Sequence, residues 1–143
     1  MLRRLRRLRR LPLLVGGSLL LATLPAQSCD PNARVFFIRP YNGATVRSPF
    51  VVIFGAELVA VEAVPAGRVP ENIGHHDLLI NLDKVPLGEL IPRDKQRLHF
   101  DQGQTRTELN LPPGQYTLTL QFADGIEHSH GPAMSATIHL TVI

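Results

Sequence analysis

Residues 116–122, YTLTLQF, alternate strictly between apolar and polar side chains. Successive side chains of a β-strand point to opposite faces of a sheet, so this alternation predicts a strand with one buried face. The segment 112–114, Pro-Pro-Gly, directly precedes it and marks a chain turn. A Pro-Gly-x-Tyr entry is typical of a tyrosine corner, in which the phenol fixes the crossover between two sheets.

Similar strand patterns recur along the chain. Residues 136–142 alternate in the same way, and several short runs are rich in β-branched and aromatic residues. Frequent glycines and prolines separate these runs, and after the first 28 residues no segment has apolar residues at helical spacing over three turns. We therefore predict an all-β fold, an immunoglobulin-like antiparallel β-sandwich of about seven strands. The predicted strands are 34–38, 49–55, 75–82, 98–100, 105–111, 116–122 and 136–142.

The first 28 residues have the composition of a secretory signal peptide. A basic head at 1–10 is followed by an apolar run at 11–24 and by small and polar residues. The apolar run contains proline and a glycine pair and is shorter than the ~20 residues that span a bilayer, which disfavours a retained anchor helix. We predict a signal peptide at 1–28, a spacer at 29–34 and one domain at 35–143, exported to the periplasm or another extracytoplasmic space.

The basic leader determines the net charge of the whole chain. The formal charge of +3 comes from 15 basic and 12 acidic residues, and six of the arginines lie within residues 1–28, which contain no acid. Without the leader, the chain has nine basic and 12 acidic side chains, so its net charge is −3. Since no basic patch remains, nucleic acid is not an expected partner.

Cys29 is the only cysteine, so an intramolecular disulfide is impossible. It follows the apolar run, at the place where bacterial lipoproteins carry the cysteine that becomes lipidated. The sequence Ala26-Gln27-Ser28-Cys29 matches a lipobox in part. Lipidation of Cys29 and ordinary cleavage after Ala26 or Ser28 both stay open, and a lipid at Cys29 is the only membrane attachment that we predict.

The order of several motifs resembles the family DUF4399, a set of bacterial exported domains of unknown function. The resemblance covers most of residues 35–143 and implies a compact exported β domain. Where this chain has His75-His76-Asp77, the family pattern has three histidines, and it has another histidine at the position of Arg97. The motifs are 40–46 (PYNGATV), 64–67 (VPAG), 74–80 (GHHDLLI), 98–100 (LHF), 103–105 (GQT) and 111–114 (LPPG).

Five of the six histidines fall in three clusters at strand starts or in loops. These clusters are His75 with His76, His99 alone, and His128 with His130. Neutral imidazole is a good ligand for copper or zinc, and Asp77 or Asp101 could add an oxygen. Residues two apart on an extended chain point the same way, so His128 and His130 could chelate, whereas only one of His75 and His76 can serve a given site. The predicted metal ligands come from these five histidines, as His75 or His76, His99, and His128 or His130.

A second interpretation gives the histidines structural roles only. His76 is in phase with Leu78 and Ile80, which favours a place in the core, while His75 and Asp77 would share the opposite face. The chain would then be a structural or protein-interaction module, with or without a lipid at Cys29. The sequence contains no Gly-x-Ser-x-Gly, no His-Glu-x-x-His and no Gly-rich phosphate loop, so we do not predict an enzyme.

Overall fold

A computed structural model describes residues 30–65, 67–70 and 72–143. The predicted signal peptide and the predicted lipidation site at Cys29 lie outside these residues. Within the described part of the chain, helices with the length and apolar character needed to span a membrane are absent.

Among the described residues, the chain forms nine β-strands and one short 3-10 helix at Pro132–Met134. All seven segments predicted as strands form strands. The two further strands, β2 and β4, are three and two residues long, too short to show alternation in the sequence. The strands are β1 (Arg34–Arg39), β2 (Ala44–Val46), β3 (Phe50–Glu57), β4 (Ala60–Val61), β5 (Ile73–Ile80), β6 (Arg97–His99), β7 (Arg106–Leu109), β8 (Gly114–Ala123) and β9 (Ser135–Val142).

The strands form two sheets, as the sandwich prediction requires. The smaller sheet has the order β1-β3-β7, and the larger has the order β2-β9-β8-β5-β4, with β6 also paired to β5. Most neighbouring strands are antiparallel, which confirms the predicted class. The two shortest strands are the exceptions, because β2 pairs parallel to β9 and β4 pairs parallel to β5.

The core lies between the two sheets and is aliphatic and aromatic. From β8, Leu118, Leu120 and Phe122 are completely buried, as the alternation at 116–122 predicts. Phe54 of β3 faces them from the smaller sheet, and the same hydrophobic cluster includes Leu78 of β5. Burying a side chain of this size is worth about 1.5–3 kcal/mol, so these residues dominate the stability of the sandwich.

The outer face of the larger sheet is also covered, although its side chains on β8 are polar. Two segments, which we name the cover loops, are residues 81–96 and 124–134. Thr119 donates a hydrogen bond to the carbonyl of Leu82, and the Gln121 amide accepts one from the backbone N–H of Val85. The Gln121 amide also donates to the carbonyl of Met134. Backbone groups of the cover loops therefore satisfy the polar face and allow it to be buried.

The predicted tyrosine corner is present at the start of β8. The Tyr116 hydroxyl donates a hydrogen bond to the carbonyl of Pro112, at 3.0 Å. This contact fixes the chain as it enters β8 from the Pro-Pro-Gly turn.

Candidate metal centre

The site is built on β5, whose alternation separates its two histidines. His76 points inward, where its ring packs edge-on against Phe54 of the opposite sheet with 5.0 Å between centroids. His75 and Asp77 therefore point to the outer face, beneath the cover loops. The antiparallel pairing of β5 with β6 places His99 directly opposite Asp77. Residues directly opposite in a ladder have Cβ atoms about 4.5–5.5 Å apart, so three polar side chains converge on one patch.

A fourth residue, Glu127 of the second cover loop, completes the group. One ligand atom from each of His75, Asp77, His99 and Glu127 lies within 4.8 Å of every other. Nε2 of His75 is 3.4 Å from Asp77 Oδ1 and 3.4 Å from Glu127 Oε2. Nδ1 of His99 is 3.1 Å from Asp77 Oδ1 and 2.5 Å from Glu127 Oε2. We call these four residues the His-Asp-Glu group.

A tight turn places Glu127 in the group. The Asp124 carboxylate accepts hydrogen bonds from the backbone N–H groups of Ile126 and His128, both at 2.9 Å, and thereby closes the turn. Glu127 itself has a left-handed backbone with φ of 67°, which is uncommon for a residue with a side chain. Its carbonyl accepts a hydrogen bond from the N–H of Ile91, so the two cover loops are joined at this point.

The first cover loop orients two members of the group from outside. Nε2 of His99 lies 3.3 Å from the carbonyl of Pro92, an acceptor, so Nε2 carries the proton and Nδ1 turns towards the group. Arg93 donates to Glu127 Oε1 at 2.5 Å and to Asp101 Oδ2 at 2.8 Å, which leaves Glu127 Oε2 facing the group. Metal-binding histidines and carboxylates commonly have such outer partners, which set tautomer and orientation.

Three of the buried ligand atoms lack a hydrogen-bond partner. These are Nε2 of His75 and both carboxylate oxygens of Asp77. The contacts of Asp77 with the two histidines are short enough for ion pairs but do not meet hydrogen-bond geometry, so we take these atoms as unsatisfied. Leaving buried polar atoms in this state costs about 1–3 kcal/mol per group.

The spacing of the group suits a tetrahedral ion. A tetrahedral ion with bonds of about 2.0–2.2 Å to nitrogen and oxygen keeps its ligand atoms roughly 3.3–3.6 Å apart. Three of the contacts given above, at 3.4, 3.4 and 3.1 Å, are close to this separation. The 2.5 Å contact between His99 and Glu127 is much shorter than this separation, so Glu127 must move outward by several tenths of an ångström to admit an ion.

The electrostatics of the group follow from burial and from its paired charges. Burial raises the pKa of Asp77, and its contacts with His75 and His99 offset this only in part. Burial lowers the pKa of His75, but the contact with Asp77 and the charges of Asp77 and Glu127 outweigh burial and raise it overall. The pKa of Glu127 is lowered, since Arg93 and the two histidines outweigh its partial burial. Protons therefore compete for His75, and metal binding must release them.

The structure brings together only part of the predicted ligand set. His75, His99 and Asp77 lie in the group. Asp101 lies beside it and binds Arg93. Sequence reasoning did not single out Glu127, which occurs one residue before the predicted cluster at 128–130.

The other three predicted histidines lie outside the His-Asp-Glu group. The ring of His130 packs edge-on against Phe122 at 5.2 Å, and burial lowers its pKa. His128 lies in the turn that holds Glu127 and forms a β-bridge with Leu90. His76 lies on the inner face of β5 and is completely buried, as its phase with Leu78 predicts.

His76 gives the first testable prediction, because both of its ring nitrogens are buried without a hydrogen-bond partner. Burial, together with the charge of His75, lowers its pKa from 6.5 to about 4. Between these pH values the unfolded chain binds a proton that the folded chain excludes, so the contribution of His76 to stability falls by about 3 kcal/mol as the pH drops from 6.5 to 4. We expect His76→Leu to raise the free energy of unfolding by about 1–3 kcal/mol at pH 7, and by more at pH 5.

Denaturant unfolding of the metal-free protein at the two pH values measures both effects. His139→Gln, a change at an exposed histidine of β9, is the control for the loss of an imidazole. A His76→Leu variant that is less stable than wild type at both pH values would show that the imidazole has a partner in the core.

The His-Asp-Glu group opens on one side into a cleft of about 540 Å³. Of the four group members, His75 and Glu127 line the cleft. Arg93, Asp101 and Gln102 line it as well. The buried group is therefore within reach of molecules in solution from this side.

These features define an all-β sandwich domain that carries a candidate metal centre on the covered outer face of its larger sheet. Residues 52–143 match the family described as Domain of unknown function (DUF4399), and the chain belongs to this family. The match confirms the resemblance seen in the sequence motifs. All four members of the His-Asp-Glu group lie within the matched residues. No curated protein and no solved structure matches the chain.

Proposed function

We propose that this protein is an exported binding or accessory module that holds one divalent transition-metal ion, zinc or copper, in the His-Asp-Glu group. One observation supports this proposal more strongly than any other. His75 Nε2 and Asp77 Oδ1 are buried without a hydrogen-bond partner, and they converge with ligand atoms of His99 and Glu127 within 4.8 Å. An ion at the centre of the group would satisfy both atoms at once.

The donor set suits these metals in type and in charge. Two imidazole nitrogens and two carboxylate oxygens are ligands that zinc accepts in a tetrahedron and that copper accepts in a tetragonal arrangement. With neutral histidines, the carboxylates of Asp77 and Glu127 carry two negative charges, which balance those of a divalent cation. A bound ion would also remove the repulsion between these two carboxylates in a site where water is largely excluded.

The cellular setting of the proposal comes from the sequence. The leader at 1–28 supports export to the periplasm or another extracytoplasmic space, and the charge of −3 without the leader gives no support for nucleic acid as a partner. The proposal includes membrane attachment only through a lipid at Cys29. The proposed role is binding, with no catalytic step assigned to any residue.

One contact favours the other interpretation, a structural or protein-interaction module without metal. His99 Nδ1 and Glu127 Oε2 are 2.5 Å apart, which suits a direct charged hydrogen bond better than a pair of metal ligands. In this alternative, protonated histidines neutralise the two carboxylates. The alternatives differ in a simple respect, since only the first takes up an ion.

Calorimetric titration of the metal-stripped, purified protein with Zn²⁺ and Cu²⁺ tests the proposal. We expect one ion per chain and a release of protons, measured by repeating the titration in buffers of different ionisation enthalpy. His128→Ala is the matched control, because it removes an imidazole near the site but outside the group, and it should bind as the wild type does. Absence of binding heat with both metals, or loss of binding in the control, would contradict the proposal.

A further inference from the structure

We propose that the ion enters and leaves through the cleft, that Glu127 is the ligand that detaches, and that Arg93 is a positioning residue that slows its release. This inference rests on the proposed function. It concerns how the site exchanges its ion and which residue outside the ligand set controls that exchange.

The four proposed ligands differ in how firmly the fold holds them. His75, Asp77 and His99 lie on two hydrogen-bonded strands, and the exposed fractions of their side chains are 2%, 0% and 2%. Glu127 lies on a cover loop, and its side chain is 24% exposed. Three ligands are therefore preorganised by the sheet, whereas the fourth can rotate without disturbing β5 or β6.

The cleft gives the direction of exchange. It is lined by His75 and Glu127 but not by Asp77 or His99, so the group is open from the side on which Glu127 lies. Asp77 and His99 lie deeper than Glu127, since their side chains are 0% and 2% exposed and that of Glu127 is 24% exposed. A molecule that removes the ion must therefore approach along the cleft and displace Glu127 first.

Arg93 is placed to oppose this displacement. Its terminal nitrogen Nη2 contacts Glu127 Oε1 at 2.5 Å and Asp101 Oδ2 at 2.8 Å. The Asp101 carboxylate anchors the guanidinium, and the guanidinium in turn holds the carboxylate of Glu127 towards the group. An outer-sphere contact of this kind is typically worth about 10–100-fold in metal affinity. Arg93 contacts Glu127, the ligand that detaches. We therefore expect the loss of Arg93 to act mainly by raising the rate at which the ion is released.

The arrangement also indicates the kind of molecule that takes the ion. The cleft admits a small multidentate chelator with carboxylate or imidazole donors, which could bind the ion and engage the Arg93 guanidinium as Glu127 leaves. A partner that only contacts the outer surface of the cover loops would not reach the ion.

Release of Zn²⁺ from the loaded protein into a large excess of a chromophoric zinc chelator, followed by stopped-flow absorbance, tests the inference. We expect Arg93→Met to release the ion about tenfold faster than wild type, in line with the loss of one outer contact. Arg34→Met is the matched control, because it removes another exposed arginine–glutamate pair, Arg34 with Glu57, on the smaller sheet. The control should release the ion at the wild-type rate.

A double variant separates the specific effect from a general loosening of the fold. Glu127→Gln should release the ion faster than wild type, and adding Arg93→Met to it should change the rate by less than about twofold, because the contact has already lost its charge. If Arg93→Met leaves release unchanged, or speeds release by the same factor in the wild-type and Glu127→Gln backgrounds, the inference is wrong. Failure of the wild type to bind Zn²⁺ at all would instead contradict the proposed function.

Discussion

Asp77→Asn is expected to weaken Zn²⁺ binding more than about 100-fold while leaving the metal-free protein at least as stable as the wild type. Substitutions outside the ligand set cost about 10–100-fold in affinity, so the loss of a direct, completely buried ligand should exceed that range. We expect the metal-free variant to keep the free energy of unfolding of the wild type, because both Asp77 oxygens lack hydrogen-bond partners and burial raises the pKa of the carboxyl group. Asparagine keeps the shape and removes a buried charge. Calorimetric titration and denaturant unfolding in EDTA measure the two effects.

The two measurements together separate a metal ligand from a structural ion pair. If Asp77 serves to neutralise His75 and His99, its replacement leaves a buried charge uncompensated and should destabilise the metal-free protein by about 3–5 kcal/mol. Glu57→Gln is the control for the loss of a carboxylate, since Glu57 pairs with Arg34 on the smaller sheet. Unchanged Zn²⁺ affinity in Asp77→Asn, or a large loss of stability without metal, would contradict the assignment of Asp77 as a ligand.

Gly74→Ala is expected to destabilise the fold by more than about 4 kcal/mol and to abolish metal binding with it. A Cβ at position 74 would lie 2.2 Å from the carbonyl oxygen of Ala123 and within 2.8 Å of the Phe122 ring. The oxygen belongs to the backbone of β8, so the collision can be relieved only by separating β5 from β8. That separation would occur beside His75, which pairs with Ala123. Thermal unfolding and Zn²⁺ titration of the variant measure both consequences.

Gly88→Ala provides the comparison for Gly74→Ala. Gly88 lies on the first cover loop with φ of 76° and nothing within 4 Å of an added Cβ, so only backbone strain of about 1–2 kcal/mol is expected. Similar losses in the two variants would show that close packing of β5 on β8 does not limit position 74.

The sequence predicted the inner face of the fold well because burial there follows the alternation of the strands. Leu118, Leu120 and Phe122 lie in the core as their spacing requires, and His76 follows Leu78 inward. The shortest strands, β2 and β4, were missed, since two or three residues cannot show a period. The buried outer face of β8 was also missed, because its side chains are polar and are covered only through hydrogen bonds with distant backbone groups.

Part of the candidate site was also predicted from the alternation of side chains along the strands. Strand periodicity placed His75 and Asp77 on one face, and the pairing of β6 with β5 brought His99 to them. Glu127 could not be predicted, because its position depends on a loop turn and on a left-handed backbone at a residue that rarely adopts one. The Asp124-Gly125 pair was the available signal for that turn. The prediction favoured the neighbouring histidines of the same loop by residue type, but the turn directs Glu127 to the group.

A crystal structure of the zinc-loaded protein, with the ion located by its anomalous scattering, tests the central claim most directly. We expect a single ion bonded to His75 Nε2, His99 Nδ1, Asp77 and Glu127 at about 2.0–2.2 Å, with Glu127 moved away from His99 relative to their present 2.5 Å. An ion bound instead by the other histidines, such as His128 or His130, or an empty group in crystals saturated with zinc, would contradict the assignment of the His-Asp-Glu group as a metal centre.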